Sequence, residues 1–94
     1  MLEIKKAENH EILLSGRFDA SQVDRAQPVF DSLSESAVLN FKDLEYVSSA
    51  GLSVLLVTQK RLSETGHRLK IIHMSKHIRD VFRYAGFDVL FEIV

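Results

Sequence analysis

What the chain lacks narrows its chemistry first. It has no cysteine, no tryptophan and a single proline in 94 residues. The missing cysteines exclude a disulfide framework, a thiolate zinc site and a cysteine nucleophile together. Charge of either sign is not in excess, with 12 Lys+Arg against 13 Asp+Glu and a formal net charge of −1. A general binder of phosphate backbones needs a strongly basic surface, so no direct nucleic-acid contact is expected. Long apolar runs are also missing. The longest, Leu52 to Val57, is broken by Ser53 and falls far short of the ~18–20 residues that cross a bilayer. The opening residues Met1-Leu2-Glu3-Ile4-Lys5-Lys6 lack the apolar stretch of a signal peptide. The expectation is a cytoplasmic chain with no membrane insertion. No repeat or low-complexity tract occurs. At 46% hydrophobic residues disorder is not expected, and the length sits just under the usual ~100–150-residue domain. Residues 1–94 are therefore expected to form a single domain with one modest core and little space for a catalytic cleft.

What is present reads as alternating strands and helices. Leu2 to Lys5 alternates with period two, Glu8-Asn9-His10 resembles a turn, and Glu11 to Phe18 resumes strand character; this predicts an antiparallel hairpin. The period then changes. Val23, Ala26, Phe30 and Leu33 are spaced for a helix, with Ser21 as its expected N-cap. Pro28 lies inside that stretch, so either the helix kinks there or it starts near Gln27. Ala37 to Phe41 reads as a short buried strand. Ala50 to Thr65 is the strongest helix, with Leu52, Leu55, Leu56, Gln59 and Leu62 inward and Gly66 past its end. Leu69 to His73 is a further strand, and Ser75 caps a short helix burying Ile78, Val81, Phe82 and Ala85, stopped by Gly86. Phe87 to Val94 is expected as a closing strand. The order β-β-α-β-α-β-α-β predicts an α/β domain: a four- to five-stranded, mostly parallel sheet with an N-terminal antiparallel hairpin and three or more helices.

In such sheets function collects where strands end and helices begin. Three segments qualify: Arg17 to Ala20, Val47 to Gly51, and His73 to Ser75. The middle one places Ser48 and Ser49 at the first turn of the strongest helix. A capping pair explains one serine; a hydroxyl that accepts a phosphate explains two, because helix N-termini accommodate added negative charge. On that helix Val54 and Val57 fall opposite the leucines, beside Arg61, and are expected to form an exposed protein-contact face. Lys76, Arg79 and Arg83 form a basic stripe, a solvated face by default and a contact to an acidic partner second. His67, His73 and His77 read as separate surface residues, so no metal site is expected. Neither a P-loop, a dinucleotide-binding glycine motif nor a nucleophile-elbow motif occurs. No catalytic residue and no cofactor are expected.

The run Lys42-Asp43-Leu44-Glu45-Tyr46-Val47-Ser48-Ser49-Ala50-Gly51-Leu52 resembles the signature of STAS domains, specifically of bacterial anti-sigma factor antagonists. Ser15-Gly16-Arg17-Phe18-Asp19 and Phe82-Arg83-Tyr84-Ala85-Gly86-Phe87 match two further family motifs, so the resemblance spans essentially the whole chain. It implies the STAS fold and a partner-switching role. In that family the serine directly after an aspartate is phosphorylated by a serine kinase that is itself the anti-sigma factor. Aligned on Gly51, that serine is Ser49, with Ser48 a competing hydroxyl where the pattern has aspartate and Ala50 where it has Ser or Thr. The resemblance further implies a GHKL-type kinase and a PP2C-type phosphatase as partners. The implied docking residues are Asp19, Ser48, Ser49, Ala50, Gly51, Ser53, Val54 and Val57. The alternative is a STAS scaffold subunit without a phosphorylation cycle, for example in a lipid-trafficking ABC transporter.

Overall fold

The chain reverses first at a turn in which Asn9 and His10 both adopt left-handed φ, 61° and 60°. Two such residues in succession match the twist of a tight hairpin, and it joins β1 (Leu2–Lys6) to β2 (Glu11–Phe18) in antiparallel register, Ile4 opposite Leu14. The computed structural model describes residues Met1–Val94. After a 3₁₀ turn at Ala20–Gln22 come α1 (Val23–Asp31), β3 (Ala37–Val47), α2 (Ser49–Ser63), β4 (Leu69–Ile72), α3 (Lys76–Tyr84) and β5 (Glu92–Ile93). The sheet order is β1-β2-β3-β4-β5, parallel from β2 onward.

Each strand-helix-strand crossover steps in the same direction across the sheet. Right-handed crossovers then place all three helices on one face. Burial agrees with that layering. Ile12, Leu14, Phe18, Ala37, Leu39, Phe41, Leu69 and Ile71 are buried beneath the helices. Leu13, Val38 and Ile72, of the other parity, are half-buried on the open face. Phe41, Phe82 and Phe91 pack edge to face at 6.2 and 5.5 Å, fastening α3 and the last turn to the sheet. Phe18 stacks on Phe30 at 6.3 Å and does the same for α1.

Four expectations are corrected, and the choice left open at Pro28 is resolved. The expected strand Ala37–Phe41 runs on to Val47, because two register shifts against β2 return the later apolar residues to the core. Leu13 pairs with Asn40 but Ser15 with Asp43, and Gly16 pairs with Leu44 but Arg17 with Tyr46. The first shift is stitched by Asn40, whose Oδ1 accepts from the Lys42 N–H at 2.9 Å. Ser21 does not cap α1: the N-cap position is Gln22, which makes no side-chain cap bond, and Asp19 caps the preceding 3₁₀ turn, its carboxylate accepting from the backbone N–H and the hydroxyl of Ser21. The helix then runs from Val23 through Pro28, so it does not start near Gln27. Ala85, expected inward on α3, is exposed, because the helix ends at Tyr84 and Ala85 is its C-cap. Finally, Phe87–Val94 is strand only at Glu92–Ile93, since Phe91 turns inward to pack on Phe82.

Candidate functional site

Of the three expected loops, the structure brings together the two that follow β2 and β3; β4 ends opposite Asn40, seven residues short of Val47, so the loop after β4 lies lower along the sheet. The spacing of the first two is set by backbone. The Ser48 N–H donates to the Phe18 carbonyl at 2.9 Å, tying the start of α2 to the end of β2. Ser48 is the N-cap of α2: its backbone is extended (φ −88°, ψ 173°) and its Oγ accepts from the Gly51 N–H at 3.2 Å. That bond satisfies one of the orphan donors of the first turn. No acidic side chain occupies that turn, so its positive end has no carboxylate of its own.

Ser49 is different. It is the first helical residue, it is exposed, and its hydroxyl makes no hydrogen bond within the chain. Only its carbonyl is engaged, accepting from Ser53 Oγ at 3.0 Å. Ser49, Ser53 and Val57 recur at intervals of four residues and so form one row along the helix. All three are exposed, Val57 to 60%.

Three residues expected on this face, Val54, Gly51 and Arg61, are not on it. Val54 is buried within the core, and Thr58, also buried, donates its hydroxyl to the Val54 carbonyl at 2.8 Å. The helix sinks deeper than a single leucine stripe suggests, because α1 covers its flank as the sheet covers its base. Gly51 is buried as well, and it positions the loop without presenting a surface. A Cβ there would lie 2.7 Å from the Phe18 carbonyl oxygen and 3.0 Å from Val47 Cγ2. Only a residue without a side chain lets the helix start this close to β2. Arg61, expected beside the valines, reaches instead across to α1. Its Nη1 and Nη2 donate to the carbonyls of Leu33 and Phe30 at 2.7 and 2.8 Å. A cation there satisfies the orphan carbonyls of a helix end.

Asp19 flanks the row from the end of β2 and is partly exposed. The Ser21 hydroxyl holds its carboxyl below the ordinary carboxylate range; partial desolvation opposes this, and the Ser21 N–H and the Arg17 guanidinium add to the lowering. Arg17 Nε lies 3.9 Å from Asp19 Oδ2. The same guanidinium sits 4.4 Å above the Tyr46 ring, a cation–π arrangement joining adjacent strands beside the loop. Residue spacing gives no sign of this pair. Arg17 and Tyr46 face each other only after the second register shift, which leaves no periodic signal.

The third loop contains His73 in the left-handed region at φ 57° and Ser75, whose Oγ caps α3 by accepting from the Ile78 N–H at 3.2 Å. His67 lies elsewhere, accepting at Nδ1 from the Ser36 N–H at 3.1 Å. No group of three or more potential metal ligands comes together, and no helix is long and apolar enough to cross a membrane. A concavity of about 430 Å³ between the hairpin turn and the α1–β3 loop is at the opposite end of the sheet. The Ser49 face is thus an exposed helix side with an unbonded hydroxyl.

Comparison with known proteins extends this geometry. The family model described as "Mlab, STAS domain" matches residues 3–93. BtrV of Bordetella bronchiseptica, named as an anti-sigma factor antagonist, is 34% identical over 74 residues; the match covers 79% of this chain and 58% of that protein's length. Among solved structures, a Thermotoga maritima protein described as an anti-sigma factor antagonist superposes with a TM-score of 0.79 at 17% identity, covering 98% of this chain and 84% of that one. The Bacillus anti-sigma factor antagonist SpoIIAA superposes in its unphosphorylated form with a TM-score of 0.76 at 16% identity, over 100% of this chain and 88% of its own. Its phosphorylated form gives 0.70 at 16% identity, over 100% and 91%. At these identities the structures speak to the fold alone.

Proposed function

The chain belongs to the STAS-domain family and is an anti-sigma-factor-antagonist-like member of it; on that premise we propose that it is the unphosphorylated-state ligand of a serine kinase in a partner-switching pathway. The family is one of regulatory proteins, not enzymes. The observation that carries the reading is the division of labour between the two serines. Ser48 Oγ is committed to the Gly51 N–H, whereas the Ser49 hydroxyl is exposed and unbonded at the mouth of α2. Ser49 is therefore the acceptor in this reading. Ser48 is its cap, and Asp19, Ala50, Ser53 and Val57 surround it as docking contacts.

Phosphate on Ser49 adds about −1.5 to −2 charges. Within the chain the positive end of α2 accommodates that charge, so the fold need not change. Against an apposed kinase surface the same charge must be desolvated, and it repels any acidic group there. A loss of only ~3 kcal/mol weakens binding more than a hundredfold. The kinase is of the GHKL type and acts as the anti-sigma factor, a PP2C-type phosphatase resets the serine, and the exchange takes place in the cytoplasm.

The test is incubation with ATP and a cognate kinase, followed by peptide mass spectrometry. One phosphate on Ser49, absent in Ser49→Ala, is the expected outcome. An unmodified peptide with a kinase that binds the chain would overturn it. That result would favour a second reading, a STAS scaffold without a phosphorylation cycle, such as a subunit of a lipid-trafficking transporter. Two observations favour that reading: the Mlab description of the matching family model and Ser48 where the antagonist pattern has aspartate.

A further inference from the structure

The charge balance that is neutral overall is not neutral across the sheet. Residues 1–47 carry nine Asp+Glu and five Lys+Arg, while residues 48–94 carry four and seven. Because the strands lie in sequence order, the two halves occupy opposite sides of the molecule. The helices concentrate the difference. On α1, Ala26 and Phe30 face the core, and at about 100° per residue Asp24 and Asp31 share the outward side, seven residues apart. On α3, Ile78 and Phe82 face the core, and Lys76 and Arg83 fall within about 20° of each other on the outward side, with Arg79 half-buried on the flank. Again the outward two are seven residues apart. None of these five charges makes an ion pair within the chain; Asp31 accepts only from Gln27 Nε2, at 2.9 Å.

We propose that two copies of this chain associate about a twofold axis, helix layer to helix layer, with α1 of each copy against α3 of the other. An axis parallel to the helices keeps their directions matched. Asp24 of one copy then lies opposite Lys76 of the other, and Asp31 opposite Arg83. The minority charges agree, since Arg25 on α1 is offered Asp80 on α3. The central helices meet each other at Val57, the apolar side chain that α2 leaves 60% exposed. A closed, isologous pair makes each of these contacts twice. The assembly needs neither ATP nor a kinase and stands apart from the phosphorylation reading, although it covers Val57 and so competes with any partner docking there.

Sedimentation equilibrium of the purified chain decides it. At about 50 mM salt the weight-average mass rises with concentration toward twice 10.7 kDa, and at about 500 mM, where charges are screened within a few ångström, it returns to that of the monomer. Asp24→Lys/Asp31→Lys and Lys76→Glu/Arg83→Glu each change only exposed residues. Each alone is expected to raise the dissociation constant at least tenfold, because its two stripes then carry the same sign. Mixed one to one, the two variants restore the dimer. A monomer at every concentration in low salt overturns the proposal. So does a dimer indifferent to salt, or a mixture of the two folded variants that stays monomeric.

Discussion

Helices α2 and α3 begin in almost the same way and end up with different duties. Each succeeds a strand of the parallel sheet and is capped by a serine in extended conformation whose Oγ accepts, at 3.2 Å, from the N–H three residues on: Ser48 to Gly51 and Ser75 to Ile78. Beyond the cap the two diverge. α2 continues with a free serine and with a glycine wedged against the Phe18 carbonyl. α3 continues with Lys76 and His77, both exposed. The attachments differ too. α2 buries six residues along fifteen, whereas α3 buries two along nine. A serine cap is thus a structural part that either helix can use. The candidate site arises where the capped turn is also pinned to a neighbouring strand and carries a second hydroxyl with no structural task.

That contrast can be broken from the α3 side first. Phe82→Ala removes the ring between Phe41 and Phe91, with an expected cost of about 3–5 kcal/mol. Chemical denaturation measures it, and hydrogen exchange should show α3 opening well before α2. Gly51→Ala is next. Its Cβ collides with a backbone oxygen that cannot step aside, so about 1–3 kcal/mol is lost, and phosphorylation at Ser49 falls with the displaced turn. The same change at Gly66, where a Cβ meets nothing within 4 Å but φ is +81°, costs about 1 kcal/mol of backbone strain. The two caps provide a paired comparison. Ser48→Ala and Ser75→Ala should each lose ~1 kcal/mol, whereas Ser49→Ala should stay within about 0.5 kcal/mol of wild type while abolishing modification. Equal destabilisation at Ser48 and Ser49 would erase the division between cap and acceptor.

The smallest effect is in pH. The Asp19 carboxyl is held below its ordinary value, chiefly by the Ser21 hydroxyl. A group whose pKa is lowered by folding stabilises the fold above its unfolded value, ~3.9 for aspartate. It loses that contribution as pH falls through the folded value. An NMR titration of Asp19 should therefore show a midpoint below ~3.9, moving upward in Ser21→Ala.

Much of the fold is legible in residue order, because period-two and helical spacing are properties of single elements. The hairpin, the position of α2 and the glycine exit at Gly66 all derive from neighbours in sequence. The illegible part depends on contacts between distant segments. Val54 is buried because α1 covers a flank of α2 that a helix projection shows as free. The later half of β3 is hidden because alternation breaks at Asn40–Lys42, where an extra residue is absorbed, and again before Tyr46. The candidate loop is legible as a strand-to-helix junction with paired serines. Which serine caps and which stays free depends on the backbone conformation at Ser48, which no spacing rule encodes.

The sheet order β1-β2-β3-β4-β5 has a further consequence, in time more than in space. Every strand is laid beside the one that precedes it in the chain, so no pairing waits for a segment made much later. Loop-closure costs stay small, and folding rates rise as contacts become more local in sequence. The chain can assemble by accretion, each strand-helix unit adding to a finished edge as it emerges. The two-residue β5, last to arrive, then docks on the β4 edge of a sheet whose Phe18–Ser48 junction is already complete.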